Sequence, residues 1–185
     1  MNCTHCNNGT LRPSFIDGLF RAHTCSGCGG NWILIEDFVT WKEKNEAYHF
    51  PADYRLSEEV GEDTKRALIC PVSGVIMRKF KISAKNDHRI DYSVPVGGIW
   101  LDKGEWELLK AEGLAGALNQ VVTAQWQKKI REENAADNFS ALYEAKFGQA
   151  DYAKIRDIRE WLNAHPQKAD LRSYLLAEDP YSAEK

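Results

Sequence analysis

Cys3-Thr4-His5-Cys6 and Cys25-Ser26-Gly27-Cys28-Gly29-Gly30-Asn31-Trp32 set four cysteines in a C-x2-C-x18-C-x2-C pattern. Two residues between cysteines let the backbone curl so that both sulfurs face one ion, and the long gap fits a zinc site. Two such knuckles supply a closed tetrahedron of thiolates, which leaves no position for water or substrate. Cys3, Cys6, Cys25 and Cys28 are therefore expected to hold one structural zinc ion. His5, inside a knuckle, is expected at the surface. Between the knuckles, Leu11–Phe15 and Leu19–His23 read as strands around Asp17-Gly18, a strong hairpin signal because both turn positions must accept positive φ. Trp32, Ile33 and Ile35 follow as a short apolar strand.

The pattern then repeats. Gly29-Gly30-Asn31-Trp32 recurs as Gly97-Gly98-Ile99-Trp100, and the alignment sets Cys70, Ser73, Ser93 and Val96 against the four cysteines. Three of four ligands are gone while the spacing is nearly kept. Val75–Ile82 and Arg89–Val94 read as a second hairpin with Asn86-Asp87 near its turn. Phe38 and Trp41 correspond to Trp106 and Leu109, so an apolar helix face follows each copy. The second copy is expected to fold without metal around a small hydrophobic core, with Cys70 a buried thiol. A rebuilt site from Cys70, His88 and Asp91 is the less favoured alternative.

Gly97-Gly98-Ile99-Trp100-Leu101-Asp102-Lys103-Gly104-Glu105 resembles the end of the pattern of the transcription-factor-IIB-like zinc-ribbon family of small bacterial and archaeal proteins. Cys3, Cys6, Cys25 and Cys28 match that family's ligands; Ser73, Ser93 and Val96 depart from them. The resemblance covers about residues 1–42 and 68–110. It implies a ribbon fold and a link to transcription in name only, since fold does not establish function.

The chain has 185 residues, 43% hydrophobic and 28% charged, with a net charge of −3. This is a globular composition, and no apolar run is long enough to span a bilayer. The N-terminus lacks the basic and apolar regions of a secretory signal, so a cytoplasmic location and reduced thiols are expected. An acidic total disfavours a phosphate backbone as the main partner. The one basic concentration, residues 70–103, has six basic against three acidic side chains. Arg78, Lys79, Lys81, Lys85 and Arg89, interleaved with Phe80, are the candidate nucleic-acid contacts. No phosphate loop, Ser/His/Asp order or open metal site is visible, so an enzyme is not expected.

The remainder divides into a linker and a helical region. Residues 43–67 are polar, with a short helix expected near Ser57–Gly61 and Phe50 and Tyr54 free to pack on a ribbon. Asp102 and Glu105 form a capping-box pair. Helices are expected over about 117–134, 138–147, 152–164 and 171–176, each with one apolar stripe. The expected architecture is α+β: a zinc ribbon (1–42), a linker (43–67), a metal-free ribbon with a short helix (68–112) and a helical region (113–185). Phe15, Phe20, Trp32 and Trp41 are candidate docking aromatics. The favoured function is a non-enzymatic protein-interaction module that binds a partner or a second copy through the helices. Nucleic-acid binding is the alternative.

Overall fold

A computed structural model describes residues 1–6, 8–51, 54–56 and 63–178. The helix expected at Ser57–Gly61 lies outside these. The chain forms two compact units, Met1–Glu133 and Asn134–Lys185. The fold is α+β: a six-stranded antiparallel sheet carrying the N-terminal cysteine hairpin, followed by helices.

The first half contributes β1 (Leu11–Ile16), β2 (Phe20–Cys25), β3 (Asn31–Leu34) and helix α1 (Ile35–Lys44). The β1–β2 turn has positive φ at Asp17 (48°) and Gly18 (72°), as the Asp-Gly signal requires. The second half repeats the order with β4 (Arg78–Lys81), β5 (Arg89–Ser93), β6 (Gly98–Leu101) and α2 (Glu105–Ala111). The two halves do not fold as separate hairpin units. Strand order is β1-β2-β3-β6-β5-β4, and β3 pairs with β6 so that Trp32 lies opposite Trp100 and Ile33 opposite Ile99. The third strand of each half thus meets its counterpart at the centre of one continuous sheet.

Alternation along these strands sends side chains to opposite faces. On one face Ile16, Phe20, Ala22, Ile33, Ile90, Ile99 and Leu101 pack with Phe38, Trp106 and Leu109 of the two helices. On the other, Trp32 and Trp100 pack with the cysteines, Leu68 and Met77. Because β3 and β6 are joined, α2 reaches across to the first hairpin. The Trp106 ring lies 5.5 Å from Phe20, and its Nε1–H donates to Asp17 at 2.8 Å. The helix that follows the second copy thus packs on the first hairpin as well.

The linker aromatics are built into this face. Phe50 lies 5.9 Å from Trp41 and 5.7 Å from Trp106, and the Lys110 ammonium sits 4.4 Å from the centre of the Tyr54 ring. Of the four candidate docking aromatics, Phe20 and Trp32 are buried and Trp41 is half-buried; Phe15 is exposed.

Helix boundaries depart from expectation beyond Gly113. A 3-10 turn (Ala115–Ala117) and the short α3 (Leu118–Val121) precede α4 (Ala124–Phe147), one continuous helix where two were expected. Residues 133–138 contain alanines and no Gly or Pro, so nothing there interrupts a helix. Thr123 starts α4 by accepting the Trp126 N–H at 3.2 Å. Trp126 and Gln127 then fasten it to the sheet: Trp126 Nε1–H donates to Ile82 O, and the Gln127 amide bonds both backbone groups of Lys81.

The second unit holds the rest of α4, α5 (Gln149–Ala164) and α6 (Lys168–Leu176). No residue of α5 or α6 is buried. Phe139, Leu142, Ile155, Ile158, Trp161, Tyr174 and Leu175 are 47–62% exposed. No helix among the described residues is long and apolar enough to cross a membrane.

Candidate metal centre

The two knuckles close on each other because β1 and β2 bring residues 11 and 25 into register, which sets Cys25 beside the N-terminal loop. All four sulfurs lie within 4.8 Å of one another, with Cys3–Cys28 at 3.7 Å and Cys6–Cys25 at 3.6 Å. A zinc ion with Zn–S bonds near 2.3 Å demands tetrahedral edges of about 3.8 Å. The donor set and its spacing therefore fit one structural zinc.

Backbone N–H groups aim at the sulfurs in both knuckles. His5 and Cys6 point at Cys3 Sγ at 3.3 and 3.4 Å; Gly27 and Cys28 point at Cys25 Sγ at 3.3 and 3.5 Å. Such donors favour thiolate over thiol. At Cys25 burial pushes the thiol up, but the Cys28 and Gly27 N–H groups outweigh it and bring the value down to about 6. Cys3 and Cys28 are raised, chiefly by burial. The residues around the knuckles leave little room. A Cβ on Gly9 would lie 2.2 Å from Cys25 Sγ, so only glycine fits there. Spacing analysis of cysteines alone did not single out Gly9.

His5 keeps about a third of its side chain exposed (34%) and is nonetheless tied down. Its Nδ1 lies 2.7 Å from Asp102 Oδ1, which ties the first knuckle to the end of β6. Asp102 also accepts Trp100 Nε1–H at 2.7 Å, Thr64 N–H at 3.1 Å and the Thr64 hydroxyl. Burial raises its carboxyl and these donors outweigh burial, so it is held below the usual carboxylate range. The expected capping box is half present. Glu105 Oε2 accepts the Asp102 N–H at 2.8 Å, but Asp102 spends its carboxylate on other donors and Gly104 occupies the cap position. The Trp-Leu-Asp sequence was the available signal for this network; its partner His5 lies 97 residues away.

The equivalent corner of the second half keeps the shape without the ligands. Val72 and Ser73 N–H groups point at the buried Cys70 Sγ at 3.4 and 3.3 Å, as in the first knuckle. Val96 packs in the same cluster. The Cys70 thiol is lowered: burial raises it, and the neighbouring Ser73 and Ser93 side chains with the N–H groups of Ser73 and Val72 more than compensate. Among the described residues, Cys70 joins no group able to hold a metal. His88 faces Glu105 and Asp91 faces Lys79, so the alternative ligand set is not brought together.

The candidate nucleic-acid residues fall along the edge strand β4 and its hairpin. Lys79 pairs with Asp91 at 2.9 Å, Lys81 with Asp87 at 3.2 Å and Arg89 with Asp63 at 3.8 Å. Arg78 and Lys85 are exposed. Charged side chains on an edge strand also block its pairing with other chains.

Residues 2–44 match a zinc-ribbon family described as transcription factor zinc-finger. No curated protein and no solved structure matches the chain. The first 44 residues thus carry a zinc ribbon of the TFIIB type with a four-cysteine site.

Proposed function

We propose that this chain is a non-enzymatic zinc-ribbon interaction protein whose helical unit docks on protein, a second copy of the chain being the occupant to test first. In this reading the sheet is a scaffold: the first ribbon holds zinc, and the second is the same kind of ribbon with its ligands replaced. A closed four-thiolate site orders the chain and offers no vacant coordination position for chemistry.

The observation that supports docking is the second unit's exposed apolar surface. Its half-exposed Phe, Leu, Ile, Trp and Tyr side chains leave on the order of 1,000 Å² uncovered, comparable to what one partner buries in a specific interface. Scattered apolar residues need no explanation, but part of this set is gathered in one place. Phe139, Tyr143, Phe147, Tyr152 and Ile155 line a cleft of about 330 Å³ between α4 and α5, together with Arg156 and Arg159.

The test is the mass of the zinc-loaded full chain by light scattering, beside Ile158→Glu and Trp161→Glu. A dimer that becomes monomeric in both variants, with helix content kept, supports the reading. A wild-type protein that is monomeric up to about 100 µM, a concentration at which even micromolar association shows, removes self-association.

A further inference from the structure

A cavity of about 280 Å³ opens between α1, the start of the linker and the segment from the 3-10 turn into α3. Three of the side chains on its wall are aromatic: Trp41, Tyr48 and Phe50. Their ring centres lie 5.4 Å (Trp41–Tyr48), 5.9 Å (Trp41–Phe50) and 5.1 Å (Tyr48–Phe50) apart. The planes are inclined to one another by 71°, 54° and 83°, so the rings form a corner and not a stack. The backbone under them is pinned. Asn45 Nδ2 donates to Trp41 O at 2.7 Å, and Tyr48 N–H donates to Asn45 O at 2.9 Å. Tyr48 is 45% exposed, so the corner is reached from solvent.

The polar groups on the wall say what would enter. Glu43 and Glu46 both line the cavity, and neither has an ion-pair partner among the described residues. Lys42 is the one cation on the wall, and its ammonium is spent on Gly116 O at 2.5 Å. Asn119 also lines the cavity, and its Oδ1 is a buried acceptor with no hydrogen-bond partner among the described residues. A buried acceptor without a donor costs free energy. An anion would be repelled by the two carboxylates, and a wholly apolar guest would leave Asn119 unpaired. A cation that carries N–H answers all three groups: the π faces, the carboxylates and the amide oxygen.

We infer that this cavity binds an alkylammonium group, borne by a lysine side chain or by a free amine. With ring centres 5.1–5.9 Å apart, a single charge can stand within about 6 Å of all three, the range over which a cation is attracted to an aromatic face. Val39 adds apolar wall for the alkyl stem.

The probe is n-butylammonium, beside 1-butanol, which has the same length and a polar end but no charge. Zinc-loaded full-length protein is titrated with each at neutral pH and constant ionic strength, and backbone amide shifts are followed by NMR. The expected result is saturable binding of butylammonium in the range of about 1–10 mM, with shifts gathered at residues 39–50 and 116–119. Butanol should bind at least roughly tenfold more weakly. Tyr48→Ala should weaken butylammonium about fivefold, and Glu43→Gln with Glu46→Gln at least roughly threefold. Glu132→Gln, exposed on α4, should bind as the wild type does. Should Tyr48→Ala fail to fold, the exposed glutamine pair decides alone. Nα-acetyl-lysine amide separates the two sources: tighter binding than butylammonium names a protein side chain, equal or weaker binding names a free amine, and both support the site. Absence of saturable shifts up to about 50 mM overturns the inference. So do shifts centred elsewhere, butanol binding as tightly as butylammonium, or unchanged binding in either folded variant of the cavity.

Discussion

Trp32 sits on Gly98 and Trp100 sits on Gly30, so each half of the sheet holds the other's tryptophan where a side chain would otherwise stand. A Cβ on Gly98 would lie 2.1 Å from the Trp32 ring, and one on Gly30 would lie 2.3 Å from the Trp100 ring. The Gly-Gly-x-Trp motif is thus self-complementary: the glycine clears the space that the partner's indole fills.

This reciprocity gives a direct prediction. Gly30→Ala and Gly98→Ala should each cost about 2–3 kcal/mol or more, as overpacking of a rigid core does. Pairing Gly98→Ala with Trp32→Leu should recover part of that loss, whereas pairing it with Trp100→Leu should not. Urea denaturation of zinc-loaded protein measures all four. Additive losses in the first pair would show that the glycine and the indole do not compete for space.

Zinc removal should be felt beyond the first 44 residues. Cys25→Ser, or chelation of the thiolate-bound ion, should unfold the hairpin that holds it, because structural zinc contributes folding free energy directly. Since β3 is the partner of β6, backbone amides of residues 98–101 should lose hydrogen-exchange protection as well. Cobalt substitution, read by its thiolate charge-transfer band, should count one thiolate-bound ion per chain. Protection of β6 that survives chelation would show the second half to be independent of the metal.

Asp17 joins the turn of the first hairpin to α2 through Trp106 Nε1–H at 2.8 Å and Lys110 at 2.9 Å. Asp17→Asn keeps a residue that tolerates φ of 48° and removes only the charge. The expected loss is about 1 kcal/mol. A double-mutant cycle with Lys110→Met should return a coupling of similar size. Zero coupling would reduce this contact to a surface ion pair of no consequence.

Glu105 supplies a pH signature. Burial pushes its carboxyl up to about 7 from an ordinary 4.5, more than the nearby His88 and the Asp102 N–H hydrogen bond offset. The folded state therefore binds more protons than the unfolded one between about 4.5 and 7, and stability falls as pH rises through that window. His88, held up by the Glu105 carboxylate 3.6 Å away, moves stability in the same direction. Relative to Glu105→Gln, wild type should lose about 1 kcal/mol between pH 6 and pH 8. The comparison is made with zinc bound and no other divalent ion added. A difference independent of pH would mean that Glu105 titrates at its ordinary value.

Local features were legible in the sequence because their causes are local. Cysteine spacing located the zinc ligands, Asp17-Gly18 located a turn, and the repeated Gly-Gly-x-Trp located two equivalent strands. The joining of those strands was not legible. It depends on Trp32 meeting Trp100 across 68 residues, and neither propensity nor periodicity measures that complementarity. The link between His5 and Asp102 was not legible for the same reason, since the two lie 97 residues apart. The uninterrupted α4 was missed because apolar spacing around Asn134–Asp137 lapses, although helix propensity there does not.

The seam between β3 and β6 makes one chain the equivalent of a permanently associated pair. A tether keeps the two ribbons at high effective concentration, so neither waits on encounter with another molecule. One half can then do without metal ligands while the other anchors both, and Cys70, Ser73, Ser93 and Val96 stand where the second half has no cluster of four thiols. The cost is shared fate: oxidation of any of the four N-terminal thiols would release the ion and, through the seam, loosen a half of the molecule that holds no thiolate zinc of its own.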